Sequence, residues 1–403
     1  MGIKKLFPFL KEKTPNAFGE YPLSTWRGKR IAIDANNWLY TTMATSHSTN
    51  IRTIDVTTQI PDNEKTFTIW LRQLKYFILK FLEQGVTPVF VFDGGPPVQK
   101  DTTLMERRNN REDILSKVDE AKLKVEKGAI NPEDVEELQK LYRKALPVTD
   151  NEIDAFKAIL SGIGIPYIAA NMEAEEACTI LCIEGIVAAV YSADSDNLTR
   201  GCPVLIRKFE KGKRKNPLTG LNESYCEVVI LNYVLSSLQF SYSQFVDLCI
   251  MFGCDYNTNI PGVGSVGAYN YMINYKNIDN IPSIANKDVL NHIVCRQVFA
   301  CKKVSEISSK DMSNLQVDRD EQSMRGYGYD LLRGYGIADW IDDLIKIYKG
   351  LPLATNSCRC VPGEVVTPQQ TGPKIVIINN NNDHLTNQMK FITANGITIN
   401  IKK

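Results

Sequence analysis

Three short apolar runs in this 403-residue chain lead into aspartate: Ile31-Ala32-Ile33 before Asp34, Val89-Phe90-Val91-Phe92 before Asp93, and Val187-Ala188-Ala189-Val190-Tyr191 shortly before Asp194-Ser195-Asp196. Continuous apolar runs of this length read as strands buried on both faces. In open parallel sheets the carboxyl ends of strands form the ligand crevice, so these four side chains should converge. Glu173 and Glu175 follow a further strand at Tyr167-Ile168-Ala169, open the next helix, and start from the same edge. Taken singly, each has a plain structural role: Asp93-Gly94 is a turn, Asp194 a helix cap, and Glu173 suits a helix N-terminus. Six together repel each other at neutral pH and do not all stay ionised unless cations neutralise them. All-oxygen ligation suits Mg²⁺ or Mn²⁺, and so many carboxylates exceed what one ion needs. Two ions ~3.5 to 4 Å apart stabilise the attacking and leaving oxygens of an in-line phosphoryl displacement, so phosphodiester hydrolysis is the leading chemistry.

A second signal narrows the substrate. Asp255 ends a predicted helix and is followed by Ile260-Pro261-Gly262-Val263-Gly264, then by another helix. A Gly-x-Gly hairpin between helices can bring backbone N–H groups and a helix N-terminus against a phosphate backbone without reading bases. Beside a carboxylate cluster it points to nucleic acid.

The elements that must position these groups follow from periodicity. Ile69, Trp70, Leu74, Phe77, Ile78 and Leu82 recur at helical spacing from Phe67 to Gln84, and a second helix is predicted from about Asn151 to Ser161. Strand and helix alternate, which argues a parallel α/β sheet with helices on both faces. From Lys100 to Lys144 the chain carries 11 basic and 11 acidic side chains and few large apolar ones, the pattern of exposed helices projecting from the core. Lys211 to Pro217 reads as a basic loop between strands. After Tyr225 the chain is mostly helical, including Ser243 to Phe252 and Ala268 to Tyr275. Leu351 to Pro373, with four prolines, reads as a linker. Phe391 to Ala394, Asn395-Gly396 and Ile397 to Ile401 read as a hairpin with a type I′ turn.

Composition excludes more than it selects. With 43% hydrophobic and 23% charged residues the chain is neither collagenous, coiled-coil nor wholly disordered. A net charge of +1 means that any attraction to nucleic acid must come from the arrangement of charge. No apolar run approaches a membrane span or a signal core, so an intracellular protein is expected, and Leu6 argues against myristoylation at Gly2. Ten cysteines are too sparse for a disulfide scaffold, and Cys178, Cys182, Cys249 and Cys295 sit in apolar stretches as reduced thiols. Cys358-Arg359-Cys360 is a weak zinc signal, and the three scattered histidines argue against histidine chemistry.

Taken together, the motifs resemble those of the flap endonucleases, structure-specific 5′ nucleases of the xeroderma-pigmentosum-G type. The resemblance runs from Met1 to about Tyr275. It rests on Met1-Gly2-Ile3, Ile33-Asp34-Ala35, Val91-Phe92-Asp93-Gly94, Glu173-Ala174-Glu175-Glu176-Ala177, Ser192-Ala193-Asp194-Ser195-Asp196, and Gln244 to Leu248 leading to Gly253-Cys254-Asp255-Tyr256. It implies a PIN-like core, a parallel twisted sheet flanked by helices, with a helical arch insertion and a helix-two-turn-helix element. It implies that Asp34, Asp93, Glu173, Glu175, Asp194, Asp196 and Asp255 hold two Mg²⁺ or Mn²⁺ ions. Lys100 and Arg107 would begin the arch and reach the scissile phosphate, acting in catalysis with Asp34, Asp93 and Asp194. DNA contacts are implied at Gly2, Tyr40, Gly262 and Gly264, the hairpin being helped by a monovalent cation such as K⁺.

On this reading residues 1–99 and 147–276 form the nuclease core, 100–146 the arch, 277–350 a mostly helical region, and 351–403 a linker and tail. The sequence departs from the family at Ser265-Val266-Gly267, where relatives commonly place basic residues; either duplex affinity through this element is weaker, or Lys276 and the basic loop near Lys213 compensate. The family's sliding-clamp peptide is not found, so no clamp partner is expected, and beyond Lys276 no match is seen. The compact length and tail suit a member encoded by a large DNA virus. The expected activity is cleavage of branched, flapped or nicked DNA by a monomer in the nucleus, or at the replication site if viral. The alternatives are a 5′ to 3′ exonuclease or junction-resolving relative, a non-cutting scaffold for branched DNA, and a small-molecule phosphatase. An RNA substrate stays open.

Overall fold

The computed structural model describes residues 2–94, 101–126, 132–146, 148–217, 219–282, 287–300 and 321–350, with Ile307, Leu315 and the strands Lys390–Ile392 and Thr398–Asn400. Every residue of Arg30–Asp34 and Thr87–Phe92 is buried, as apolar strands covered on both faces must be. They are β2 and β3 of a seven-stranded sheet completed by Phe18–Pro22 (β1), Tyr167–Ala169 (β4), Ala189–Tyr191 (β5), Val204–Lys215 (β6) and Asn222–Ile230 (β7), in the order β1-β7-β6-β5-β2-β3-β4. The five strands β6, β5, β2, β3 and β4 are mutually parallel, as expected. Beyond them the sheet turns antiparallel, β6 with β7 and β7 with β1, because the short link between β6 and β7 allows only a hairpin.

The helices are Leu6–Lys13 (α1), Ala35–Ile51 (α2), Asn63–Glu83 (α3), Asp101–Glu126 (α4), Pro132–Lys144 (α5), Asp150–Gly162 (α6), Ala174–Ile183 (α7), Asp196–Thr199 (α8), Leu231–Leu238 (α9), Tyr242–Phe252 (α10), Ser265–Tyr275 (α11) and His292–Phe299 (α12). α3 buries Phe67, Trp70, Leu71, Leu74, Phe77, Ile78, Phe81 and Leu82 along one stripe. It begins four residues before the apolar periodicity because the Asp62 side chain accepts the Glu64 N–H and caps it. α6 opens with a Thr149–Glu152 capping box.

Two cores sandwich the sheet. One is built with residues of α1, α7, α9, α10, α11 and α12, the other with residues of α2, α3 and α6. The second also takes in Leu332, Trp340, Ile341 and Leu344 from the helices Tyr329–Gly334 and Trp340–Gly350, so the region past Lys276 packs into the same molecule. A small third core of Ile51, Val56, Val118, Leu138 and Tyr142 seats the charged helices α4 and α5 on the end of α2. There His47 Nε2 donates to the Tyr142 carbonyl at 2.9 Å. No helix among the described residues is long and apolar enough to cross a membrane. Cys178, Cys182, Cys249 and Cys295 are buried and unlinked.

Two expectations are corrected. Lys211–Lys215 belong to β6 and are not a loop; the turn falls after them, between Asn216 and Leu221. This end of β6 is mostly exposed and pairs only with β7, so basic side chains are tolerated, Lys213 pairing with Glu83 and Arg214 with Glu20. The helix before Asp255 stops at Phe252, where Gly253 takes φ +92°, and Asp255 stands in the following loop. Lys390–Ile392 (β8) and Thr398–Asn400 (β9) pair antiparallel. The Asn395-Gly396 turn lies outside the described residues, as do the linker Leu351 to Pro373 and the Cys358/Cys360 pair.

Candidate functional site

Asp34 ends β2 and caps α2, its Oδ1 accepting the Asn37 N–H at 3.0 Å and its Oδ2 the Ser192 hydroxyl at 3.3 Å. Asp93 follows β3, and its Oδ1 accepts the Ala174 N–H at 2.7 Å, tying the strand end to the start of α7. The next residue must be glycine, since a Cβ on Gly94 would lie 1.8 Å from the Ala170 carbonyl oxygen. Asp194 lies three residues past β5, and its Oδ1 accepts the Asp196 N–H at 3.0 Å. Three carboxylates thus stand at the carboxyl ends of adjacent parallel strands.

The segment Gly2–Lys4 straps this edge. Gly2 has φ +82°, and a Cβ there would sit 2.0 Å from Asp194 Oδ1. The Ile3 N–H donates to the Ser195 hydroxyl at 2.8 Å, and the Lys4 N–H to the Gly253 carbonyl at 3.0 Å. One strap therefore joins the Asp194–Asp196 turn to the loop that carries Asp255.

Electrostatics bind the group together. Burial pushes the Asp34 carboxyl up to about 7, and the charges of Asp93 and Asp194 add to this against the Asn37 and Ser192 hydrogen bonds. The buried Cys178 thiol is pushed up by burial and then by Asp34, Glu175 and Asp93, which puts Glu175 within reach of the same field. Glu173 stands at the N-cap position of α7 and Glu175 in its first turn. Asp196 is buried at the head of α8. Asp255 is half-buried, and its neighbour Tyr256 donates its hydroxyl to Glu173 Oε2 at 2.9 Å.

No group of three or more Asp, Glu, His or Cys side chains among the described residues is drawn closely enough together to hold an ion as it stands. The chemistry of the donors still fits a hard divalent cation: carboxylate oxygens alone, with the repulsion between them expressed in the raised Asp34.

Tyr40 lies on α2 and is 40% exposed. Burial raises its hydroxyl pKa; Arg111 of α4 opposes that rise, and Asp93 and Asp150 add to it. Arg107 lies one turn before Arg111 on α4, its side chain outside the described residues together with all of Lys100. Gly262 and Gly264 sit in the loop between α10 and α11, with open space beside both. α11 carries no charged side chain along its length. Ser192, Ser195 and Tyr256 stand within the sequence motifs but carried no expected role of their own, and Arg200 and Arg111 lie outside those motifs. The available signals were an arginine directly after Asp196-Asn197-Leu198-Thr199 and the four-residue spacing of Arg107 and Arg111.

Residues 1–114 match the family model described as the XPG N-terminal domain, and residues 164–255 that described as the XPG I-region. The chain is 35% identical over 290 residues to Flap endonuclease 1 of Cryptosporidium muris, covering 72% of this chain and 58% of that one. It is 33% identical over 282 residues to Flap endonuclease 1 of Entamoeba histolytica, covering 70% and 69%. To Flap endonuclease 1-A of Oryza sativa subsp. japonica it is 32% identical over 289 residues, covering 72% and 70%. The chain spans 56% to 60% of the length of the Cryptosporidium and Theileria parva relatives. Among solved structures it resembles flap endonuclease-1 from Methanococcus jannaschii, with a TM-score of 0.52, 26% identity and coverage of 82% of this chain and 96% of that one. The catalytic core of Rad2 in complex with DNA substrate shares the fold, with a TM-score of 0.50, 23% identity and coverage of 86% and 100%.

Proposed function

Since the chain belongs to the flap endonuclease family of XPG-type nucleases, we propose that it is a metal-dependent, structure-specific 5′ DNA endonuclease that cuts one phosphodiester where a single strand meets a duplex. The observation that carries this reading is the placement of Asp34, Asp93 and Asp194 at the carboxyl ends of neighbouring parallel strands, in one electrostatic field. Glu173, Glu175, Asp196 and Asp255 complete the set as ligands for two Mg²⁺ ions, with Mn²⁺ an alternative. When bound, such ions lower the pKa of an attacking water and offset charge on the phosphate.

The rest falls to the chain's own residues. Asp34, Asp93 and Asp194, each tied to a helix start, a hydroxyl or a neighbouring backbone N–H, hold fixed directions without needing to reorganise. Lys100 and Arg107 neutralise the scissile phosphate, and Tyr40, beside Arg111 and Asp93, stacks the adjacent base. Gly2 contributes backbone at the Asp194 turn. Gly262 and Gly264 let the backbone approach the duplex, and their loop would hold a monovalent cation such as K⁺, which would supply positive charge there. Because α11 is uncharged, the duplex grip rests on backbone groups more than on counterion release. The protein acts as a monomer on flapped, branched or nicked DNA, in the nucleus or at the replication site of a virus that encodes it.

The test is digestion of a 5′-labelled flap, a nicked duplex and a four-way junction side by side, with Mg²⁺ or with EDTA. Incision at the flap base, dependent on Mg²⁺ and faster than on the other two, supports flap specificity. Preference for the nick or the junction reassigns the protein to the exonuclease or resolving branch.

A further inference from the structure

Arg200 is 2% exposed, and its guanidinium is shared between the carboxylate cluster and the C-terminal part of the chain. Nη2 donates to Glu173 Oε2 at 2.6 Å and to the Tyr256 hydroxyl at 3.3 Å, while Nη1 donates to the Val298 carbonyl of α12 at 2.8 Å. The Tyr256 hydroxyl in turn donates to the same Glu173 oxygen, closing a triangle. Glu176 Oε1 lies 3.8 Å from Nη1, and the Phe299 ring lies 5.7 Å beneath the guanidinium carbon. Glu173 occupies the N-cap position of α7 yet makes no side-chain cap bond, so its carboxylate is committed elsewhere.

We propose that Arg200 is a positioning residue for this site: with Tyr256 it holds the Glu173 carboxylate in the direction from which it binds a divalent cation, and through Val298 it couples that carboxylate to α12. Two donors on one carboxylate oxygen fix the rotation of the group, so the second oxygen presents in one direction. Burial alone would lower the guanidinium pKa, and Glu175, Tyr256, Glu173 and Glu176 more than reverse this, so the arginine stays charged beside three carboxylates and a neutral tyrosine hydroxyl. A buried arginine with this many specific partners does more than fill space, because an unoriented charge pair gains little over an apolar one. The inference rests on Glu173 being a metal ligand, as read above.

Two effects compete, and they differ in sign. Orientation of Glu173 strengthens cation binding, whereas the positive charge of Arg200 weakens it. Loss of an outer partner of a metal ligand typically costs about 10 to 100-fold in metal affinity. Mn²⁺ titrated calorimetrically into the full-length protein without DNA, and the Mg²⁺ concentration giving half-maximal flap cleavage, report the balance. Arg200→Met, Arg200→Lys and Tyr256→Phe are compared with the natural chain. Arg200→Met is expected to weaken Mn²⁺ about tenfold or more, Tyr256→Phe, which leaves the charge untouched, by several-fold, and Arg200→Lys by an intermediate amount. Mg²⁺ dependence should shift in the same order, with the rate largely recovered at saturating Mg²⁺.

A purely structural pair would lower the melting temperature and leave Mn²⁺ affinity unchanged, which overturns the proposal, as does tighter binding in Arg200→Met. Should Arg200→Met fail to fold, Tyr256→Phe and Arg200→Lys decide by the same criterion. If the natural chain itself binds no Mn²⁺, the metal reading of Glu173 fails and this inference falls with it.

Discussion

The Asp93 carboxylate holds the Ala174 N–H at 2.7 Å, so the end of β3 is fastened to the helix that presents Glu173 and Glu175. One side chain thereby serves as both a candidate metal ligand and a helix-start acceptor. The two roles separate by substitution. Asp93→Asn keeps an acceptor oxygen and should melt close to the natural protein while losing cleavage. Asp93→Ala should lose cleavage and about 1 kcal/mol of stability. Urea unfolding of both variants checks this; equal stability would contradict the capping role.

Asp34 makes stability depend on pH in a direction opposite to most carboxylates. Its folded value of about 7 stands above the 3.8 of an unfolded aspartate, so the folded chain keeps a proton that the unfolded chain releases. The stability this contributes is present below pH 3.8 and is lost as pH rises through about 7. Asparagine caps a helix as well as aspartate. In EDTA, Asp34→Asn should therefore gain on the natural chain as pH rises from 5 to 8, by on the order of 2–4 kcal/mol. Melting curves across that range test it, and parallel curves would refute the burial and charge argument.

Arg111 is expected to contact substrate. It lies one helical turn after Arg107 on α4, close enough to Tyr40 for its charge to act on that hydroxyl. Arg111→Ala should reduce flap affinity and lower the slope of log affinity against log salt by about one, with little change in melting. An unchanged slope would place Arg111 off the DNA path.

The helix Trp340–Gly350 should be indispensable to folding. Trp340 and Ile341 are fully buried in the core shared with α3 and α6, and Lys75 of α3 pairs with Asp339 and Asp343. Trp340→Ala should cost about 3–5 kcal/mol. A loss below 1 kcal/mol, read from urea unfolding, would mean that the helix is peripheral.

Much of this was legible because it is local. Apolar runs ending in Asp34 and Asp93 announce strands and their ligand edge, and the α3 stripe announces one helix face. What was not legible depends on distance. The Arg200 triangle joins residues up to 83 positions apart, its link to Val298 spans 98, and the strap of Ile3 onto Ser195 spans 192. No periodicity encodes such contacts. The basic residues of β6 misled because charge usually marks loops; here a projecting ribbon leaves them exposed while they remain paired as a strand. The helices Tyr329–Gly334 and Trp340–Gly350 had no recognisable motif, since their task is to complete a core whose other walls are drawn from scattered elements between Leu23 and Ile230.

The most direct measurement is the rate of incision of a 5′-labelled flap by the natural chain and by Asp194→Asn, both with Mg²⁺, with flap binding recorded in parallel. Cleavage at the flap base that falls at least about a hundredfold in the variant while binding persists is the expected result. Equal rates would show that the carboxylates gathered at the sheet edge are not the catalytic centre. Binding without cleavage by the natural chain would make the protein a scaffold for branched DNA.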